Sequence, residues 1–396
     1  MHVYTPLRSV KVRSQSTLWG LLAFSVGAVA VAAPQLSVSD YGVTADGKTV
    51  HAYTLKNDHG VSAKILDYGG IIAELNAPDR RGRVANVVLG LADLKAYEAT
   101  GGLNSLIGRY ANRIKGGFNI DGHHYDLRGN PKGITLHSGR PAYGAMIWQT
   151  QVVRDANRAG VTLSHISPDG EQGFPGEMRI QVTYTLNDAD ELRLDYEATT
   201  DKPTVATLTN HVYFNLRGNG SGDVYGQQLQ IMADQYTPTD ADLVPTGELA
   251  AVAGTALDFR QLTPIGAHIR SSEQQVIFGH GYDHNFVLRK RAGDPLAPAV
   301  RMYDPESGRL LEVRTTEPGV QVYSANHMDG TLVSAAGPTI RQGDGLALET
   351  EHFPNSPNEP RFPSTLLRPD EVLRSSTVFR MRTDVSAGMR QEKAAP

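Results

Sequence analysis

Cysteine is absent from the sequence. That removes a disulfide framework, a thiolate nucleophile, cysteine-ligated zinc and iron–sulfur clusters in one step. A basic footprint is missing too. The 38 Lys and Arg stand against 42 Asp and Glu, a formal charge of −4, which offers nucleic acid nothing to hold. There is no G-x-S-x-G elbow for a serine hydrolase of that type. Gly218-Asn219-Gly220-Ser221-Gly222 lacks the Lys-Ser/Thr of a phosphate cradle and reads as a loop tip. No fixed-period repeat, low-complexity linker or charge block marks an internal boundary, and helical patterning is scarce. What is present is ordinary globular composition, 40% hydrophobic and 20% charged over 396 residues, with 40 glycines and 22 prolines. Such a length buries a sizeable core without staples. Its chemistry must rest on His, Asp, Glu, Arg, Ser or a bound cofactor.

The first forty residues stand apart. Arg8, Lys11 and Arg13 precede an apolar run from Leu18 to Ala33 that ends in small residues before Pro34. A positive stretch, an apolar stretch and an A-x-A site describe a secretory signal peptide over residues 1–32, cleaved after Ala32 or Ala30. An uncleaved anchor is the alternative, but about seventeen apolar residues are at the short limit of a span. Removal leaves 35 basic against 42 acidic side chains, a net charge of −7. The expectation is an exported, periplasmic protein with no membrane association after cleavage, since no second segment spans a bilayer.

Period-two alternation dominates the rest. Met178, Ile180, Val182, Tyr184 and Leu186 alternate with polar residues, and Leu192, Leu194 and Tyr196 continue the pattern after a turn, which predicts a hairpin. Phe118 to Leu127 carries Asp121-Gly122 at its centre, a strong hairpin signal. Leu311–Val313, Val320–Tyr323 and Phe379–Thr383 read as further strands. Helix is expected only over Asp93–Ala99 and Gly247–Asp258. The fold class that follows is all-β, a large antiparallel β-sandwich with few short helices. Residues 33–396 are expected to form a single domain, with a frayed tail over 384–396.

Several strand-like segments carry directional polar groups on one face. In Thr209–Leu216, strand geometry sets His211, Tyr213 and Asn215 opposite Val212, Phe214 and Leu216. In Leu346–Glu351, Glu349 and Glu351 oppose the leucines, and in Val320–Tyr323, Gln321 and Tyr323 oppose the valines. Ile107–Ile114, read as a strand, puts Arg109 and Arg113 on one side. Half-exposed strands have a polar face as a matter of course. Solvent faces favour Lys, Glu, Thr and Ser, however, whereas His, Asn, Tyr, Gln and Arg suit a cleft for a neutral polyol. His280 and His284 are four apart, but the glycines around them argue against a helical ligand pair, and His123-His124 reads as exposed beside its turn.

These residues fall into an ordered series. It runs through Tyr68-Gly69-Gly70, Asn76-Ala77-Pro78-Asp79, Gly108-Arg109-Tyr110-Ala111-Asn112-Arg113-Ile114 and Leu136-His137-Ser138-Gly139. It continues through Gly173-Phe174-Pro175-Gly176, Thr209-Asn210-His211, Gly281-Tyr282-Asp283-His284-Asn285-Phe286, Pro318-Gly319-Val320-Gln321-Val322-Tyr323 and Leu348-Glu349-Thr350. Pro360-Arg361-Phe362-Pro363 and Leu367-Arg368-Pro369 close it. The set, from about Asp40 to about Thr383, resembles the aldose 1-epimerase (galactose mutarotase) family. Each piece is weak alone and the order is specific.

The resemblance implies a galactose mutarotase-like supersandwich and cofactor-free interconversion of α and β anomers of a free aldose. By matching segments, it implies Glu349 as general base and His211 as general acid, with Asn112, Arg113, His137, Asp283 and Gln321 holding the sugar and no metal. Ser138 stands where a glycine is common in the family and leaves His137 in place. Three rival readings compete: an epimerase of hexose 6-phosphates, a non-catalytic carbohydrate-binding protein, and a metal-dependent hydrolase built on Glu349, Glu351 and His352.

Overall fold

The computed structural model describes residues 1–5, 34–127, 129–155, 157–290 and 293–383. The segment expected to be a signal peptide, apart from residues 1–5, and the expected frayed tail over 384–396 lie outside the described residues. Cα proximity divides the chain into Met1–Ala32 and Ala33–Pro396.

Three antiparallel sheets hold most of the strand residues described in the second unit. A five-stranded sheet runs in chain order from Gln35–Val43 to Val84–Asn86. A nine-stranded sheet is built from Gln149–Arg154, Arg158–Ser167, Met178–Asn187, Glu191–Thr200, Leu373–Arg382, Leu310–Thr315, Ala297–Tyr303, Gln228–Ile231 and Thr263–Pro264, in that order. A six-stranded sheet orders Tyr213–Phe214, Leu346–Glu351, Gly319–Tyr323, Asp283–Leu288, Ala233–Tyr236 and Ala250–Ala251. The expected all-β class and antiparallel pairing are therefore observed, as are the hairpins at 178–200 and 118–125.

Alternation decides where the core sits. Leu346, Leu348, Val320, Val322, Phe286 and Leu288 of the six-stranded sheet share one hydrophobic cluster with Val182, Tyr184, Leu194, Val313 and Phe379 of the nine-stranded sheet. Phe214 and Phe379 meet across that interface with ring centroids 5.1 Å apart. Each such aliphatic side chain contributes about 1.5–3 kcal/mol on burial. Because side chains alternate, packing the leucines and valines inward forces Glu349, Glu351, Gln321 and Asp283 onto the opposite face. Strand register thus builds the site.

Three expectations are corrected. Gly247–Asp258 is not a helix. Gly247 and Gly254 have φ of 80° and 77°, and the segment holds only the short strand Ala250–Ala251. The second helix is instead Gln274–Gly279, closed by His280 in the left-handed region. The expected first helix is present as Leu94–Thr100, capped by Asp93, whose Oδ1 accepts the Ala96 N–H at 2.9 Å.

Ile107–Ile114 is not a strand. Only Leu106–Ile107 and Arg113–Lys115 are extended, and Asn112 turns the chain between them with φ of 62°. Arg109 and Arg113 consequently point to different places. Thr209–Leu216 is likewise broken, into Thr209–Asn210 and Tyr213–Phe214. His211 and Tyr213 still stack, with centroids 4.9 Å apart. Asn215 leaves their face, and its Nδ2 donates to the carbonyls of Gly222 and Asp344.

Candidate active site

The outer face of the six-stranded sheet carries the reactive groups. Glu349 lies on the strand Leu346–Glu351 with only 2% of its surface exposed, and Gln321 is its partner across the ladder. His211 sits in the gap between two short strands. Its backbone N–H donates to the Ser105 carbonyl at 2.9 Å. That anchor aims the ring so that Nε2 stands 3.4 Å from Oε1 of Glu349. Tyr213 stacks on the ring, and Tyr323 meets it edge-on at 6.1 Å. The imidazole therefore has little freedom to rotate.

His137 comes from the turn after Ile134–Leu136 and is locked to Asn112 twice. Its N–H donates to the Asn112 carbonyl at 2.8 Å. Its Nδ1 accepts the Asn112 N–H at 3.1 Å. An imidazole that accepts at Nδ1 carries its hydrogen on Nε2 when neutral, so His137 presents a donor to whatever occupies the site.

The remaining candidates form a hydrogen-bonded chain. Arg113 donates from Nη1 to Oδ1 of Asn112 at 3.2 Å and from Nη2 to Oδ2 of Asp283 at 3.3 Å. Gln321 donates from Nε2 to Oδ1 of Asp283 at 2.5 Å. All seven candidates from the sequence, Glu349, His211, Asn112, Arg113, His137, Asp283 and Gln321, are thus brought together. Glu351 also belongs here, accepting from Nδ2 of Asn112 at 2.9 Å. Its position two residues after Glu349 was the available signal.

Burial sets the protonation of the central pair. It pushes His211 down to about 4, against the pull of its backbone contact and the Asp283 charge. Glu349 moves upward, first through burial and then through Glu351 and Asp283, with Arg113 opposing. Burial also drives His137 well below the usual histidine range, aided by His211 and Arg113. Burial thus disfavours the imidazolium of His211 and the carboxylate of Glu349 alike, which favours a neutral pair with its shared proton on the carboxyl.

His137, His211 and Glu349 bring potential ligand atoms within 4.8 Å of one another. The donor chemistry does not fit a resident metal. A metal-bound histidine offers one nitrogen to the ion and donates N–H from the other. At His137 the second nitrogen already faces a backbone N–H, which leaves no lone pair for the ion without breaking that bond. The rival ligand set also fails, because His352 turns away from Glu349 and Glu351 to pair with Glu317, Nδ1 to Oε2 at 2.6 Å.

Comparison with known proteins shows the family. The family model described as aldose 1-epimerase matches residues 51–380. Galactose mutarotase of Rattus norvegicus is 41% identical over 336 residues, covering 84% of this chain and 94% of the relative. Aldose 1-epimerase of Escherichia coli (strain K12) is 36% identical over 338 residues, covering 84% and 96%. Among solved structures, galactose 1-epimerase from Lactobacillus acidophilus NCFM superposes with a TM-score of 0.77 at 27% identity, covering 88% of this chain and 99% of that one. The chain belongs to the aldose 1-epimerase family.

Proposed function

We propose that this protein interconverts the α and β anomers of free aldohexoses such as glucose and galactose, by acid–base catalysed ring opening and reclosure without a cofactor. The observation that carries the reading is the buried pair, His211 Nε2 beside Glu349 Oε1 at 3.4 Å, ringed by neutral or paired hydrogen-bonding groups. Opening a cyclic sugar moves two protons. One leaves the C1 hydroxyl and one arrives at the ring oxygen as the C1–O5 bond breaks. Glu349 as carboxylate takes the first and His211 as imidazolium gives the second.

The pair holds one proton before and after, so only its position changes. With the proton on Glu349 and the imidazole neutral, the pair matches the open-chain aldehyde, in which Glu349 faces the carbonyl oxygen and His211 the O5 hydroxyl. Binding the cyclic form draws the proton to His211, because the C1 hydroxyl donates to Glu349 and the ring oxygen accepts from His211. Rotation about C1–C2 and reclosure through the same groups gives the other anomer. Arg113 and the Nε2–H of His137 stabilise charge that develops on the sugar oxygens.

Polarimetry of freshly dissolved α-glucose and α-galactose tests the reading. Faster decay with the protein, unchanged by a chelator, is the expected result. Binding without rate enhancement would support the carbohydrate-binding alternative. Glucose 6-phosphate should be a poor substrate. Lys115, two residues beyond Arg113, and Lys132 are already neutralised by Asp240 and Asp242.

The pH profile should carry the signature of a shared proton. Below about 4, His211 takes a second proton beside protonated Glu349, and above Glu349's raised value the pair has none. The rate is therefore expected to hold from neutrality down to about 4. An acid limb at the ordinary histidine value would show that burial does not govern the pair.

Export is the second part of the reading, supported by the charge and apolar pattern of residues 8–33. The expected mature chain begins at Ala33 or Val31, which N-terminal sequencing from expressing cells establishes.

A further inference from the structure

Glu351 is a buried titratable group that the reaction does not use. Its carboxyl is fully buried, with Oε1 receiving the Asn112 amide at 2.9 Å. Oε2 has no hydrogen-bond partner among the described residues. The charges that face it come from four elements. Glu349 lies on its own strand, Glu317 just before the strand Gly319–Tyr323, Asp283 on Asp283–Leu288, and Arg113 on Arg113–Lys115. Three of these are acids. The guanidinium already binds Asp283 and Asn112, and among the described residues no cation pairs with Glu351. Glu317 keeps His352 for itself.

A buried carboxylate with an uncharged amide as its one partner is costly, and such a group takes up a proton instead. Oε1 then acts as a carbonyl acceptor. The Asn112 amide is held at both ends, Nδ2 to Glu351 and Oδ1 from Arg113, so it cannot turn over without setting its NH₂ against the guanidinium. Asn112 is also the residue whose backbone fixes the His137 tautomer. One end of the site's hydrogen-bonded chain is therefore tied down by Glu351.

We propose that Glu351 is a positioning residue, an uncharged carboxylic acid that fixes the Asn112 amide and, through it, Arg113 and His137, while leaving Glu349 to exchange the proton with His211. This rests on the acid–base reading of the site given above. What Glu351 recognises is the amide, not the sugar, so a side chain of the same shape with a carbonyl acceptor can replace it.

The test compares Glu351→Leu with Glu351→Gln. Glu351→Leu removes the acceptor and is expected to raise KM about tenfold, the size of one buried hydrogen bond lost. Glu351→Gln should restore KM and leave both limbs of the pH profile in place. If Glu351→Gln is as impaired as Glu351→Leu, or moves the alkaline limb downward by about one unit as loss of a neighbouring negative charge would, the proposal is wrong. Infrared difference spectra of the full chain at neutral pH provide a readout that needs neither turnover nor the leucine variant. The native protein should show protonated-carboxyl absorption from both Glu349 and Glu351, and Glu351→Gln should lose one of the two contributions; a native-minus-variant spectrum with no such loss would overturn the proposal while leaving the epimerase reading untouched.

Discussion

Glu349→Gln is expected to lower kcat for anomer exchange by about 10³-fold, within the range that a positioned general base supplies. Glutamine keeps the shape of the side chain and can still meet His211 across 3.4 Å, so KM should change little. Thermal stability should hold or rise, because burial and neighbouring acids already disfavour the ionised carboxyl at this position. A loss confined to kcat is the mark of an interaction made in the transition state. His211→Asn should give a similar loss, and the double variant should be little worse than either single one, since two groups that pass one proton between them act as a unit. Polarimetry under saturating glucose measures all three. Near-normal exchange in either single variant would remove the pair from the mechanism.

Much of this was legible in the sequence because alternation along a strand is a local pattern. Leu346–Glu351 and Gly319–Tyr323 obey it, and from it the faces of Glu349 and Gln321 follow directly. It fails where the backbone leaves the extended region. Asn112 at φ 62° and His137 at φ 50° turn the chain at the points where the site needs an amide and an imidazole aimed across the sheet. No glycine stands beside Asn112 to announce its turn, so Ile107–Ile114 reads as a strand when it is not.

The double lock between Asn112 and His137 joins residues 25 apart in sequence, and the Asn112–Glu351 bond joins residues 239 apart. Such contacts exist only once the sheets are assembled. The sequence names such residues, and only the assembled sheets name their partners. Arg113 finds its partner in Asp283, 170 residues further along the chain.

The two arginines four apart should separate cleanly. Arg109 is fully buried. Its Nε donates to Ser167 Oγ at 2.7 Å, and its Nη2 donates to the carbonyls of Ser167 and Pro168 at 2.9 and 2.7 Å. Its Nη1 donates to the Pro175 carbonyl at 3.0 Å, and the Ser167 hydroxyl in turn donates to Glu171. Arg109→Met fills much of the same volume but leaves three carbonyls and a hydroxyl without their donor, inside the protein. The expected cost is about 3–5 kcal/mol, the scale of breaking a buried charged network. In a chain of this size that lowers Tm by roughly 4–7 °C.

Arg113, by contrast, retains 14% of its side-chain surface exposed and reaches Asp283 and Asn112 on the reactive face. Arg113→Met should cost about 10²-fold in kcat/KM through lost stabilisation of oxygen charge, with a smaller fall in Tm than Arg109→Met. Calorimetry and polarimetry on the two variants decide between this assignment and the one a continuous strand would give. Were Arg109 and Arg113 on a common face, both would lose activity and neither would lose the fold. A stable Arg109→Met protein with a raised KM would return Arg109 to the sugar site and undo the turn at Asn112.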